Sequence, residues 1–267
     1  MLMNIENPAG LTALDSCKLF AEASAFVKNE RYRSDGSSSN AFTGNFSAFS
    51  LGGRIMRRWY MSAGVTPYSF VGYYFKSSQE LEGSPGTFVT STFSGTGGLS
   101  KAFLSQGFSL TKHLSVGMNL NFIFGNMTLN EIQSAMTVSR EMSGRSFYAD
   151  FGLQYHRPIA RETFLTVGAI YGYKQRISLK NTVTVTGSST ETPYNQKRVT
   201  QYLPQYIGIG SSLAHKKWTY ALDYLFRQYG VLNSSDSRVK FRDSHELRLG
   251  VCYFPNGFSS SSYWKRM

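Results

Sequence analysis

Cysteine is nearly absent from this chain: Cys17 and Cys252 are the only two in 267 residues. Neither stands in a metal-ligand spacing. Alternation puts Cys17 with Leu19, Ala21, Ala23, Ala25 and Val27 on an apolar face, and Cys252 with Glu246, Arg248 and Gly250 on a polar one. Opposite faces argue against a disulfide and for two packed thiols. Long apolar runs are missing as well. No stretch approaches the roughly 18–20 consecutive apolar residues of a spanning helix, which excludes a helical membrane protein. Met1–Gly10 lacks a basic region followed by an apolar core, so it is no signal peptide.

Acidic residues are scarce, 16 against 28 Lys and Arg, for a formal charge of +12. Such a balance suggests nucleic acid or an anionic surface. The basic residues are scattered through turns and polar strand faces, however, without a basic helix, a stacking motif or zinc spacing. Lipid phosphates or a basic lumen account for the charge, and no nucleic-acid partner is expected. The four histidines, His113, His156, His215 and His245, lie far apart, three of them at strand ends or turns. They form no catalytic triad order and no metal-ligand spacing, so no enzyme, metal or cofactor is expected.

What the chain has is aromatic residues, 17 Tyr and 20 Phe, set in a recurring alternation. Phe147, Ala149, Phe151, Leu153 and Tyr155 oppose Tyr148, Asp150, Gly152, Gln154 and His156. Trp218, Tyr220, Leu222, Tyr224 and Phe226 oppose Thr219, Ala221, Asp223, Leu225 and Arg227. Leu114, Val116, Met118, Leu120, Phe122 and Phe124 oppose Ser115, Gly117, Asn119, Asn121 and Ile123. Period two is the mark of a strand with one apolar and one mostly polar face.

Ten strands are predicted, over about 17–31, 42–57, 59–77, 87–110, 114–127, 143–156, 163–178, 198–214, 217–230 and 240–254. Long polar connections are expected at Tyr32–Ala41, Ser78–Gly86, Thr128–Met142, Leu179–Lys197 and Val231–Val239. Short ones fall near Arg58 and at Thr111–His113, Arg157–Glu162, His215–Lys216 and Pro255–Gly257. A soluble β-sandwich adhesin also uses Tyr and Phe in strands, but it has no reason to alternate short turns with long loops. That rhythm belongs to an up-and-down barrel in an outer membrane. The fold class is therefore all-β, a transmembrane antiparallel β-barrel.

Three stretches together resemble the FadL-type outer-membrane transporters of hydrophobic compounds. The first is Asn7-Pro8-Ala9-Gly10-Leu11 before the first strand. The second is Gly95-Thr96-Gly97-Gly98-Leu99, followed by His113–Asn119 and Phe122-Ile123-Phe124-Gly125. The third runs from Tyr202-Leu203-Pro204 through Ile207–Gly210 and Tyr220–Tyr224 to His245–Tyr253 and Pro255. The resemblance spans nearly the whole chain, although each motif is short. It implies a fourteen-stranded barrel plugged by an N-terminal hatch, with about ten strands present here. Residues 1–16 would then be a hatch remnant carrying Asn7, Pro8 and Ala9, residues 17–254 the barrel strands, and 255–267 a turn and the start of a cut strand. The resemblance further implies a bacterial outer membrane, a signal peptide lost or upstream, and a barrel monomeric at full length. The partners would be membrane lipid and hydrophobic small molecules, either long-chain fatty acids or aromatic hydrocarbons, that leave sideways through the wall. A secretion-associated, protein-binding branch of the fold stays open.

Pro67 lies inside the third strand and donates no ladder hydrogen bond, so with Gly64 it marks either the lateral opening or a plain bulge. Gly95–Gly98 reads as a bend or bulge. Asp150, Gln154, Asp223, Arg227, Glu246 and Arg248 are costly against lipid and are therefore assigned to the lumen. Arg227 or Arg248 could hold a carboxylate, but mutual pairing with acids is favoured.

Overall fold

A run that alternates Phe and Leu with Asn and Gly cannot turn one face to both lipid and core, and the chain solves this with a single curved antiparallel sheet. The computed structural model describes residues 4–14, 19–34, 37–80, 83–84, 86–134, 136–187, 191–195, 198–232 and 240–255. The sheet opens with β1 (Leu19–Ser34) and β2 (Ser37–Met56), followed by β3 (Trp59–Phe70), β4 (Tyr73–Glu80) and β5 (Phe88–Ser109). The middle of the wall is β6 (Leu114–Gln133), β7 (Met136–Ala160), β8 (Thr163–Gly172) and β9 (Gln175–Thr186). Then come β10 (Glu191–Asn195), β11 (Val199–Leu203), β12 (Tyr206–His215), β13 (Trp218–Arg227) and β14 (Ser244–Tyr253).

Ten strands succeed one another across the wall, in the order β1-β2-β3-β5-β6-β7-β8-β12-β13-β14. The other four continue neighbouring passes. β4 extends β3 along β5, β9 extends β8 along β7, and β10 and β11 lead along β9 into β12. The ten-pass, all-β barrel architecture matches the sequence reading, and a two-sheet sandwich does not form. Among the described residues β1 and β14 each have one sheet neighbour.

The long connections need correction. Pairing continues to Ser34–Ser37 in the first hairpin, to Gln133–Met136 in the hairpin of β6 and β7, and to Thr186–Glu191 in that of β9 and β10. Tyr32–Ser34, Ser37–Ala41, Thr128–Gln133, Met136–Met142 and much of the described part of Leu179–Lys197 are thus strand rather than loop. Thr182-Val183-Thr184-Val185-Thr186 alternates Val with Thr, a short strand signal inside an expected loop, and its β-branched residues and a full backbone ladder keep it extended. β7 reaches 25 residues, well past the roughly 9–11 that a tilted crossing needs, so paired ribbons stand beyond the barrel.

The short turns lie at Arg57–Arg58, Leu110–His113, Arg161–Glu162 and Lys216–Lys217, near the expected places, but Arg157–Ala160 is paired strand and not turn, and the turn expected at His215–Lys216 sits one residue later. Near that end Trp59 stacks on Phe108 and Trp218 meets Tyr253 at 4.8 Å, aromatic pairs of the kind that band a membrane interface. Three predicted strands are broken: 59–77 at Val71–Gly72, 163–178 at Tyr173–Lys174, and 198–214 at Pro204–Gln205. The last strand begins at Ser244 rather than at 240. Cys252 is exposed, so it is no packed thiol; Cys17 and residues 256–267 lie outside the described residues.

Candidate functional site: the barrel interior

The N-terminal segment is held inside the sheet. Asn7 caps a single 3-10 turn, Pro8–Ala13, accepting at Oδ1 from the Ala9 amide at 3.1 Å. Pro8 suits the first position because its missing N–H would have had no partner there. The Asn7 Nδ2 donates to the Leu153 carbonyl of β7 (3.1 Å), and Thr12 Oγ1 donates to Ser115 Oγ of β6 (2.8 Å). Ala9 and Leu11 are 0% and 1% exposed.

A row of glycines makes the seat. Gly107 pairs with Gly117, and Gly117 with Gly152, on three adjoining strands. A Cβ at Gly117 would run into the backbone of Pro8 and Ala9. One at Gly152 would strike the Asn7 side chain, and one at Gly107 would come within 2.8 Å of the Pro8 carbonyl. Only backbone-width positions let the turn approach so closely.

Next to this seat runs a polar row. Ser62, Ser105, Asn119 and Asp150 pair successively across β3, β5, β6 and β7, and the row continues through Gly172 and Tyr206 to Arg227. Asp150 is 3% exposed. Its carboxylate accepts from Asn119 Nδ2 at 2.6 Å and from Asn121 Nδ2 at 2.7 Å. Tyr206 also donates to it, its ring lying across Gly172, where any Cβ would collide. Asn119 Nδ2 reaches the Ile5 carbonyl as well, tying the row to the N-terminal segment.

Arg227, Glu246, Arg248 and Glu6 form a chain of ion pairs: Arg227–Glu246 at 3.0 Å, Arg248–Glu246 at 2.7 Å and Arg248–Glu6 at 3.3 Å. Both arginines are therefore engaged by carboxylates. Asp223 and Gln154 border a cavity of about 280 Å³ between β7, β8, β12, β13 and β14, with Arg248, Glu6 and Asn7 on its rim. A second cavity, about 170 Å³, lies between Tyr68, Lys101, Tyr148, Asp150, Tyr206 and Arg227.

Above the cavities the ribbon side is closed by apolar packing. Ile177 of β9, 3% exposed, sits on Leu99, Ile123 and Tyr148, with Leu179 and Leu203 beside it. The breaks at Tyr173–Lys174 and Pro204–Gln205 bring β9 and β11 into that position.

Gly64 is paired on both sides, with Ser50 and with Phe103. Pro67 sits at a register shift in which Tyr68 is the extra residue. The β2–β3 ladder ends at Phe49–Val65, and among the described residues β3 beyond that point pairs with β5 alone. Gly97, at φ 100°, faces the Val71–Gly72 break and accepts from the Val71 amide at 2.8 Å, so the bend is shared by two passes.

Sequence reasoning passed over Lys101, Tyr68, Tyr148, Tyr206 and Glu6. Tyr148 stood on the same alternating face as Asp150, which was a usable signal. Tyr206, two residues after Pro204, and Tyr68, in a bulge, had none.

A family model described as BamG matches residues 1–267. The chain belongs to the BamG family. No curated protein matches it in sequence. Among solved structures, its fold is similar to the Ralstonia pickettii toluene transporter TbuX (TM-score 0.59, 14% identity, 93% of this chain and 76% of the other covered). The Pseudomonas putida toluene transporter TodX is similar at TM-score 0.57 and 15% identity, covering 94% and 75%. The monoaromatic hydrocarbon channel CymD follows at 0.56 and 14%, covering 92% and 73%. At such identities the likeness shows the fold, that of FadL-type outer-membrane barrels.

Proposed function

We propose that this BamG-family chain is an outer-membrane barrel that passes hydrophobic small molecules, long-chain fatty acids or aromatic hydrocarbons, without energy coupling. The carrying observation is the seam between β2 and β3. Its ladder stops at Phe49–Val65, and Tyr68, the extra residue of the Pro67 bulge, borders the inner cavity. Tyr68 thus links that cavity to the end of the ladder. Capture begins at the ribbon side, where Phe75 stacks on Phe93 at 5.0 Å. Asn7, Pro8 and Ala9 act as a hatch that shifts to connect the cavities, and exit is lateral at Gly64–Pro67. Arg227, Glu246 and Arg248 brace the lumen by pairing, while Asp150, Gln154 and Asp223 line the route.

Uptake of labelled toluene and labelled oleate into cells lacking their own transporter tests this reading. The wild type raises uptake of at least one, and Pro67→Ala changes the rate. Wild-type uptake at the background level for both, with the protein verified in the outer membrane, removes the transport reading.

A second reading has its own observation. Paired ribbons beyond the barrel and an apolar cluster at Leu99, Ile123 and Ile177 that shuts the lumen suit a protein-binding barrel. Retained binding of a partner protein together with absent uptake selects it.

A further inference from the structure

The 170 Å³ cavity differs in chemistry from an oil-filled channel. Its size resembles an apolar cavity of about 150 Å³ that accepts benzene, and it falls below the roughly 300 Å³ at which drug-sized pockets begin. One aromatic ring fits; an extended acyl chain does not. Ile170, Leu203 and Leu225 supply apolar wall for the ring faces.

The remaining wall is hydrogen-bonding. Lys101, Tyr148, Asp150, Tyr206, Arg227 and Tyr229 all border the space. A hydrocarbon entering it displaces whatever solvates these groups and returns no hydrogen bond, whereas polar sites discriminate strongly against ligands that leave their groups unpaired. The charges also balance. Lys101 lies in the field of both Asp150 and Glu6, and Arg227 is paired with Glu246. A carboxylate ligand would meet Asp150 and Glu6, and an ammonium would meet Lys101 and Arg227. A neutral hydroxyl meets neither penalty, because it donates to Asp150 or a tyrosine oxygen and accepts from Lys101 or a tyrosine hydroxyl.

We infer that the cavity between Tyr68, Lys101, Asp150 and Tyr206 is a binding site for neutral, single-ring hydroxyaromatic compounds of the phenol class. This rests on the reading of the chain as a passive transporter and moves its cargo from hydrocarbons and acyl chains to a polar single ring. Tyr68, the extra residue beyond the end of the β2–β3 ladder, is one wall of the site, so a hydroxyaromatic held there touches the seam through that side chain.

Calorimetry on the full chain purified in detergent, with phenol, toluene, benzoate and benzylamine as probes, tests the inference. Phenol is bound about tenfold or more tighter than toluene, the ratio corresponding to one net hydrogen bond. Tyr206→Phe lowers phenol affinity about tenfold and leaves toluene affinity unchanged, by the same arithmetic. If Tyr206→Phe loses the heat-modifiable gel shift of a folded barrel, Tyr148→Phe serves in its place with the same expected ratio. Toluene binding equal to or tighter than phenol overturns the inference while leaving hydrocarbon transport standing. Benzoate or benzylamine binding tighter than phenol overturns the charge-balance argument and the inference with it. No binding of any probe, together with no uptake of toluene or oleate, overturns both readings.

Discussion

Gly117 of β6 lies flat against the Pro8–Ala9 peptide, closer than any residue with a side chain could. Replacing it by Val forces either the strand or the turn to move, at about 1–3 kcal/mol for an overpacked site. The turn has fewer neighbours than a strand with two ladders, so the turn yields. Gly117→Val is expected to unseat Asn7–Ala13 while keeping the barrel folded. A cysteine at Thr12, half-buried in the wild type, then reacts with a water-soluble maleimide several times faster. Gly187, whose surroundings are open, is the control: Gly187→Ala leaves that rate unchanged.

Asn7 joins the same turn to the wall by two different atoms. Oδ1 caps the turn and Nδ2 holds the Leu153 carbonyl. Asn7→Ala removes both, for about 1–3 kcal/mol of seating energy if a cap and a hydrogen bond add. Asn7→Asp keeps the cap and loses only the donor, so it falls between Ala and wild type. Hydrogen exchange at the Ala9 and Gly10 amides measures the order, and equal exchange in both variants would assign the whole effect to the Nδ2–Leu153 hydrogen bond.

How much of this interior was legible beforehand depends on where the information sits. The face of Asp150 could be read because Phe147–His156 alternates without interruption, and the same holds for Trp218–Arg227. The break at Val71–Gly72 could not, since it depends on Gly97 across the ladder, and cross-strand partners are invisible along one strand. The ribbon of Arg31–Ser34 and Ser37–Asn40 failed for a different reason: in water both its faces can be polar, which erases the period-two signal, whereas Thr182–Thr186 kept its alternation inside an expected loop. The glycine seat was half visible. Gly117 and Gly152 stood on polar faces, but what they make room for is Pro8, more than a hundred positions away.

The apolar outer face gives a direct test of membrane placement. Leu222 of β13 is exposed there, with Asp223 on the opposite face. Leu222→Arg in the middle of a lipid-facing strand costs about 2–4 kcal/mol, whereas the lumen face tolerates polar change. Reversible urea unfolding in phospholipid vesicles is expected to show that loss for Leu222→Arg and no more than about 1 kcal/mol for Asp223→Asn, which keeps a polar inner group. Comparable losses for both would refute the assignment of faces.

Ile177 closes the ribbon-side mouth by resting on Leu99, Ile123 and Tyr148, although it belongs to a different stretch of wall. Truncation to Ala deletes buried methyl groups and leaves a void, a loss of about 2–5 kcal/mol when the surroundings do not relax. Most of that loss is local, because β9 keeps its ladders with β7 and β11. The apolar seal is therefore expected to loosen before the barrel unfolds. Single-channel recording across a planar bilayer checks this: Ile177→Ala shows frequent openings where the wild type shows few, and Ile177→Val lies close to wild type. A silent Ile177→Ala trace from protein that still shows the folded gel shift would mean that the N-terminal turn alone seals the lumen. The double variant Gly117→Val/Ile177→Ala is expected to stay open longer than Ile177→Ala alone, since the seated N-terminal turn narrows the same path.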